Sequence, residues 1–359
     1  MVGKCGSDVR PRMSAPAARA RKSGPFHPKL EISPRKLATD PPLASECPRA
    51  VGFECAIHGM RRLMTSNSGL FTPLRDCGQV KHYYWIDVFR GFGALSIVVW
   101  HYQHFYRTTL DESSPGFVPS VLPFYEYIWI LHHYGHNAVL FFWIISGFVF
   151  ANVYATSRSS TRQFIVNRFA RLYPLHFVTL LTVALLQFIS WHQLGRFQIY
   201  SANDAYHFVL HLFFISHWGF ESGSSFNGPI WSVSIEILIY GVFWCLLPYL
   251  FRRGILGSLA LVAIFAALIA TETPGAFWQC GFYFFSGVAI FVVQEKFKSR
   301  LLLLGLLAII GILAGGFLCL LQIDDRGLLA LPMLLLSMVL FIAVLDRSAI
   351  SQYAKPLQW

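Results

Sequence analysis

Eight stretches of this chain stay apolar for about as long as a bilayer is thick, and no other feature restricts the fold so far. They lie at 84–106, 136–156, 172–190, 229–251, 255–271, 276–294, 301–321 and 327–346. A hydrocarbon core of about 30 Å takes about 20 helical residues to cross. Inside it every backbone N–H and C=O must be satisfied by the protein itself, which leaves helices or closed barrels. Long apolar runs without strict alternation select helices. Composition agrees, because the chain is 55% hydrophobic and 13% charged with a mean hydropathy of +0.50, whereas soluble domains carry roughly 25% charge. The predicted fold is all-α, a polytopic transmembrane helix bundle of about 8–9 spans. The uncertain ninth run, Tyr206–Trp218, is 13 residues long and holds His207, His211 and His217. It is either a short span or a re-entrant segment lining a cavity.

The first 80 residues are a different material, rich in Pro, Ser, Ala and Arg, with 13 Lys/Arg against 6 Asp/Glu. They supply +7 of the formal +11, so the basicity of the chain is mostly a tail property. No window there joins a basic start, an apolar run and a small-residue cleavage site, so the tail does not read as a secretory signal. The predicted division is a disordered tail over 1–80 and a membrane domain over 81–359. The tail is open to two readings, a polybasic arm on anionic lipid or a dispensable leader with Met60 or Met64 as the true start. It offers no fold or aromatic platform for reading bases, so nucleic acid is not an expected partner. Of seven cysteines, Cys5, Cys47, Cys55 and Cys77 lie in the tail and Cys245, Cys280 and Cys319 lie singly in apolar runs. No spacing suggests a disulfide framework or a metal site.

Lys and Arg in short loops set orientation. The stretch from Tyr154 to Arg171 holds Arg158, Arg162, Arg168 and Arg171 without an acid, which places it, and the tail one hairpin earlier, in the cytoplasm. Arg252–Arg253 and Lys296–Arg300 are also basic. They reach the same side only if Tyr206–Trp218 does not cross.

Charged and titratable residues inside a membrane domain are costly and call for a reason. Arg90 and His101 share the first run, eleven residues apart, about 16 Å along a helix axis and about 1100° around it, hence on nearly the same side. Arg90 is either a snorkelling side chain or a fixed cation, and His101 either a satisfied core histidine or a proton acceptor. Arg168 and Arg171 stand at i and i+3 before Pro174, which is expected in a helical first turn. Together they make a forked donor array suited to phosphates, or else serve only as topology signals. Ser232, Glu236 and Tyr240 recur at i, i+4 and i+8 and draw a polar stripe on an apolar helix. Glu236 is expected to pair with Arg90 or Arg168, or to orient a catalytic group. Ser146–Gly147 reads as a close helix contact. No Ser-His-Asp arrangement stands out.

With these residues in view, the chain resembles the acyltransferase-3 family of integral-membrane O-acyltransferases. The resemblance rests on Trp85-Ile-Asp-Val-Phe-Arg90-Gly with His101 beyond it, on Leu140-Phe-Phe with Ser146-Gly-Phe148, on Arg168-Phe-Ala-Arg171 with Tyr173-Pro174, and on Trp231-Ser-Val-Ser-Ile-Glu236. It covers about 84–359. It implies transfer of an acyl group, commonly acetyl, from acyl-CoA to a hydroxyl of a carbohydrate or glycolipid acceptor, by a multi-pass protein of the cell (inner) membrane. It further implies His101 as general base, with His104 as its rival one turn on, Glu236 as a second catalytic residue, and Arg90, Arg168 and Arg171 as anchors for acyl-CoA, with acetyl-CoA the usual form and no metal. A sugar hydroxyl is a poor nucleophile at neutral pH and histidine has the pKa to activate it. One departure stands beside the match: the family closes with a tenth helix, and this chain ends at Trp359 where that helix is expected to begin. A truncated, non-catalytic remnant is therefore one alternative, and a polytopic transporter with Arg, His and Glu in its bundle is another.

Overall fold

A computed structural model describes residues 81–106, 119–155, 159–271, 275–321 and 329–357. The basic tail of 1–80 lies outside the described residues, and those described belong to one compact unit that runs from Ser68 to Trp359. Every regular element among them is helical: α1 (Tyr84–His101), α2 (Tyr125–Tyr134), α3 (Ala138–Tyr154), α4 (Thr161–Leu194), α5 (Ala205–Leu212), α6 (Trp231–Ala270), α7 (Ala276–Lys296), α8 (Leu301–Leu320) and α9 (Ala330–Leu345), joined by short 3-10 turns. The all-α bundle expected from the apolar runs is what the chain forms.

The expected count of 8–9 spans is not reproduced. Five helices among the described residues are long and apolar enough to cross a membrane, with Ala330–Leu345 a shorter apolar helix. Helix α1 carries Asp87, Arg90 and His101 within its 18 residues and is less apolar than those five. The runs at 229–251 and 255–271 follow one another in α6 and count once among the five, although the backbone divides them. That element is broken at Gly254, whose φ of 56° and ψ of −127° suit only glycine. Past the break, a Cβ on Gly257 would lie 3.5 Å from the carbonyl oxygen of Leu250, seven residues earlier. Those positions are about 10 Å apart along an unbroken helix, so the chain turns back on itself just after Arg252 and Arg253. The Tyr206–Trp218 run gives only the eight-residue α5, about 12 Å long, too short to cross.

Helices α3 and α7 form the centre. A Cβ on Gly147 would fall 1.8 Å from the Phe284 carbonyl, and one on Gly287 would fall 1.9 Å from the Ile144 carbonyl. The two backbones thus cross in reciprocal contact, and the expected close approach at Ser146–Gly147 is present. Around the crossing, Trp143, Phe148, Phe150, Phe243, Phe284, Phe285 and Phe291 are buried almost completely. Helix α1 packs on α3, and α9 packs on α7, α8 and α3. The N-terminus of α1 is capped across the bundle, since Asp346, just past α9, accepts the Trp85 and Ile86 N–H groups at 2.8 and 3.1 Å. Arg347 pairs with Glu295 and donates to Tyr83 Oη at 3.1 Å.

Helix α4 lies at the edge, with α5 its main helical neighbour. Leu175, Val178, Leu181, Leu185, Leu186 and Phe188 are exposed along it, as on a helix whose partner is lipid. It starts at Thr161, where Ser160 accepts the Gln163 N–H at 3.2 Å. Pro174 therefore stands inside the helix and not in its first turn, which corrects the expectation from the sequence.

Candidate functional site

Between α1, α3, α4 and α6 lies a cavity of about 310 Å³, at the small end of ligand pockets. Four charged groups from three helices face it: Arg90 from α1, Arg168 and Arg171 from α4, and Glu236 from α6. The i, i+3 spacing turns both α4 guanidiniums toward one side, although most of that helix is apolar and outward. From α6, Ser232, Glu236 and Tyr240 all line the cavity, so the stripe read from the sequence is its wall. Ile97, Val139, Phe142, Trp143 and Ile145 supply the apolar lining.

Each charge is held differently. Arg90 Nη1 lies 3.4 Å from Asp87 Oδ1, one turn earlier, and His82 Nε2 lies 3.2 Å from Asp87 Oδ2. Arg168 sits over the Phe150 ring at 4.7 Å, a cation–π contact, and Tyr240 stacks on the same ring at 4.3 Å between centroids. The Nε of Arg168 is buried with no hydrogen-bond partner among the described residues. Glu236 bonds the hydroxyls of Ser146 and Tyr240, which are 3.2 Å from each other, and feels the charges of Arg90 and Arg168 without an ion pair to either within 4 Å. The expected ion pair of Glu236 with Arg90 or Arg168 is thus not formed among the described residues, and the carboxylate meets hydroxyls instead.

His101 does not line the cavity. It stands one turn beyond Ile97, which does, and closes α1. Arg90, Ile97 and His101 are spaced by seven and four residues, so they follow one face of α1 from the charged end outward. His101 Nδ1 is 2.9 Å from the Ile97 carbonyl oxygen. A carbonyl only accepts, so Nδ1 carries the proton and Nε2 the lone pair. Glu236 is not the group that orients the ring. His104 lies next to it, with ring centroids 5.6 Å apart, and Trp100 packs edge-on against both. The His104 ring also meets Tyr200 at 6.4 Å.

The segment between α4 and α6 leans on this end of the bundle. Trp231 packs against Trp143 and His217. Ser234, one turn into α6 and fully buried, donates to the Phe214 carbonyl at 2.7 Å and accepts the His217 N–H at 3.2 Å. The second serine of the Trp-Ser-Val-Ser element is therefore a fastener for residues 214–218, a role the sequence did not disclose. Nor did it disclose the partners of the histidines in that segment. His176 Nε2 donates to the His211 carbonyl at 2.7 Å, and His211 Nε2 is 3.1 Å from Ser225 Oγ. His207 is gathered with Asp204 and Ser222, an arrangement that does not stand out in the sequence. Separations of three and fifteen residues across a loop carry no periodic signal. Burial pushes the His211 imidazole down to about 4. Among the described residues no group of three His, Cys, Asp or Glu side chains is placed to hold a metal ion.

Chemically, the cavity offers three guanidiniums, one with an orphaned N–H, and suits an anionic ligand, while the His101 lone pair lies beyond it at the end of α1. Searches of curated proteins and of solved structures found no match. The family described as "Acyltransferase domain" matches residues 83–355, three quarters of the chain and every helix described above, and the chain belongs to this acyltransferase-3 family of membrane proteins.

Proposed function

We propose that this membrane acyltransferase moves an acyl group, in the first instance acetyl, from acyl-CoA to a hydroxyl of a carbohydrate or glycolipid acceptor. What carries the reading is the convergence of Arg90, Arg168, Arg171 and Glu236 on one cavity whose α1 wall leads to His101. The donor is polyanionic at its nucleotide end and neutral along its arm. Its phosphates match the guanidiniums, including the buried Arg168 Nε that has no partner among the described residues. Its arm matches the apolar lining. About 16 Å of helix separates Arg90 from His101, which lets an extended donor present its thioester near the imidazole.

In the transfer, His101 Nε2 takes the proton of the acceptor hydroxyl as its oxygen attacks the thioester carbonyl. The tetrahedral intermediate collapses with cleavage of the carbon–sulfur bond, and the imidazolium returns its proton to the departing thiolate. The Nδ1 bond to the Ile97 carbonyl keeps the ring in the tautomer this needs. Glu236 acts as a countercharge that keeps Arg90 and Arg168 from repelling one another across the cavity and holds Ser146 and Tyr240 in place.

By the basic loops, the guanidinium end faces the cytoplasm of a cell (inner) membrane and the tail lies on the same side. The short α5 favours this arrangement, because without a crossing there Arg252–Arg253 falls on the side of Arg171. The test is release of free CoA from labelled acetyl-CoA by membranes containing the chain. Release that depends on His101 is expected. Solute flux across vesicles with no CoA released would overturn the reading in favour of a transporter.

A further inference from the structure

Residues 195–230, between α4 and α6, carry chemistry that the proposed transfer does not use. Asp204 is the N-cap of α5, and its Oδ1 accepts the His207 backbone N–H at 2.8 Å. The same oxygen lies 2.8 Å from His207 Nδ1. On the far side of the ring, His207 Nε2 is 3.1 Å from Ser222 Oγ and 3.2 Å from the Ser222 backbone nitrogen. A backbone N–H only donates, so Nε2 holds the lone pair and Nδ1 the proton aimed at the carboxylate. This is the tautomer that a histidine needs to take a proton from serine, with the one Nε2 lone pair shared between the Ser222 N–H and Oγ–H. The imidazole is buried, 3% exposed, while Ser222 is open to the outside. Hydrogen bonds from the His207 backbone and ring hold the Asp204 carboxyl below the usual carboxylate range, so it remains an acceptor at neutral pH.

We propose that Asp204, His207 and Ser222 form a second nucleophilic centre, at which Ser222 accepts the acyl group of an activated ester or thioester as an acyl-serine. Ser222 Oγ attacks the carbonyl and its proton passes to His207 Nε2. The bond to the leaving thiol or alcohol breaks, and that group takes the proton from the imidazolium. Water then attacks the acyl-serine by the same route, which frees the acid and restores the hydroxyl. Asp204 is a positioning residue that fixes the tautomer. The centre does not require His101 and stands apart from the cavity.

The same contacts also tie the loop around Ser222 to α5, and a purely structural role predicts an unreactive Oγ. The test treats the purified full chain in detergent with a fluorophosphonate probe and maps the modified peptide by mass spectrometry. Phosphonylation of Ser222 is expected, absent in Ser222→Ala and slowed by about 100-fold in Asp204→Asn. Asn keeps the N-cap acceptor for α5, so this variant retains the fold, as a single sharp elution peak would verify, while losing the carboxylate. Hydrolysis of p-nitrophenyl acetate should fall in parallel. An unmodified Ser222 in the folded chain, or modification at an unchanged rate in Asp204→Asn, would overturn the proposal.

Discussion

Helices α7 and α4 are both apolar and both long enough to span a bilayer, yet they sit in opposite surroundings. In its most apolar stretch α7 is 61% buried inside the protein, and α4 only 17%. The first is packed by protein along most of its length, with Gly287 pressed to the α3 backbone. The second leaves Leu175, Val178, Leu181, Leu185, Leu186 and Phe188 exposed and buries only a narrow edge that includes Phe164, His176, Leu180, Gln187 and Ser190. The charged residues follow the opposite order: α7 contributes nothing to the cavity, while α4 delivers Arg168 and Arg171 to it. Burial and chemistry have separated. The tightly packed pair supplies a rigid floor, and a helix that lipid can hold in place presents the cations.

That contrast can be broken or sharpened by substitution. The largest expected effect is on the reaction: His101→Ala should lower CoA release by about 10²–10⁴-fold while the protein still inserts, as membrane fractionation would verify. Activity retained in that variant with loss in His104→Ala would move the base one turn along. At the crossing, Gly147→Val has no space beside the Phe284 carbonyl and should cost about 1–3 kcal/mol or more, read as a fall in the melting temperature of the detergent-solubilised protein. On the cavity side, Arg168→Ala or Arg171→Ala should raise the KM for acyl-CoA by about tenfold or more, the value of a charge-assisted hydrogen bond of about 1.5–3 kcal/mol, with the melting temperature little changed. Equal loss of stability in both classes of variant would erase the distinction drawn here.

Smaller effects are expected in the α5 segment and on the outer face of α4. The folded His211 imidazole, held at about 4 by burial, binds fewer protons than an unfolded histidine near 6.5. Stability from this group is therefore present above pH 6.5 and lost as the pH falls toward 4. Hydrogen exchange across 204–225 should accelerate in that window, and His211→Gln should flatten the dependence. Leu185→Ala and Leu186→Ala on the lipid side should shift stability by no more than about 0.5 kcal/mol.

Much of the candidate site was legible before any coordinates because membranes penalise charge. Arg90 and Glu236 stood out as exceptions in apolar runs, Arg168 and Arg171 as a close pair at the mouth of one, and all four face one cavity. The stripe of Ser232, Glu236 and Tyr240 was readable because a helix repeats every 3.6 residues. Even the break at Gly254 was marked by Arg252–Arg253. Contacts across long separations were not readable: Asp346 capping α1, Ser234 fastening residues 214–218, and Ser222 reaching His207 lie on no common periodicity. Pro174 misled because a first-turn preference says nothing of a helix that had already begun at Thr161.

By itself, then, the sequence determined the solvent, the helical class and the identity of the exceptional charges, because hydrocarbon admits few unsatisfied polar groups and marks each one. Only the tertiary structure decided which helix is central and which is peripheral, how α6 turns back, and that His101 lies beyond the cavity and not in its wall. It also decided which nitrogen of His101, His176 and His207 keeps its proton. These outcomes depend on backbones meeting at Gly147 and Gly287 and on partners tens to hundreds of residues apart, where local periodicity carries no information.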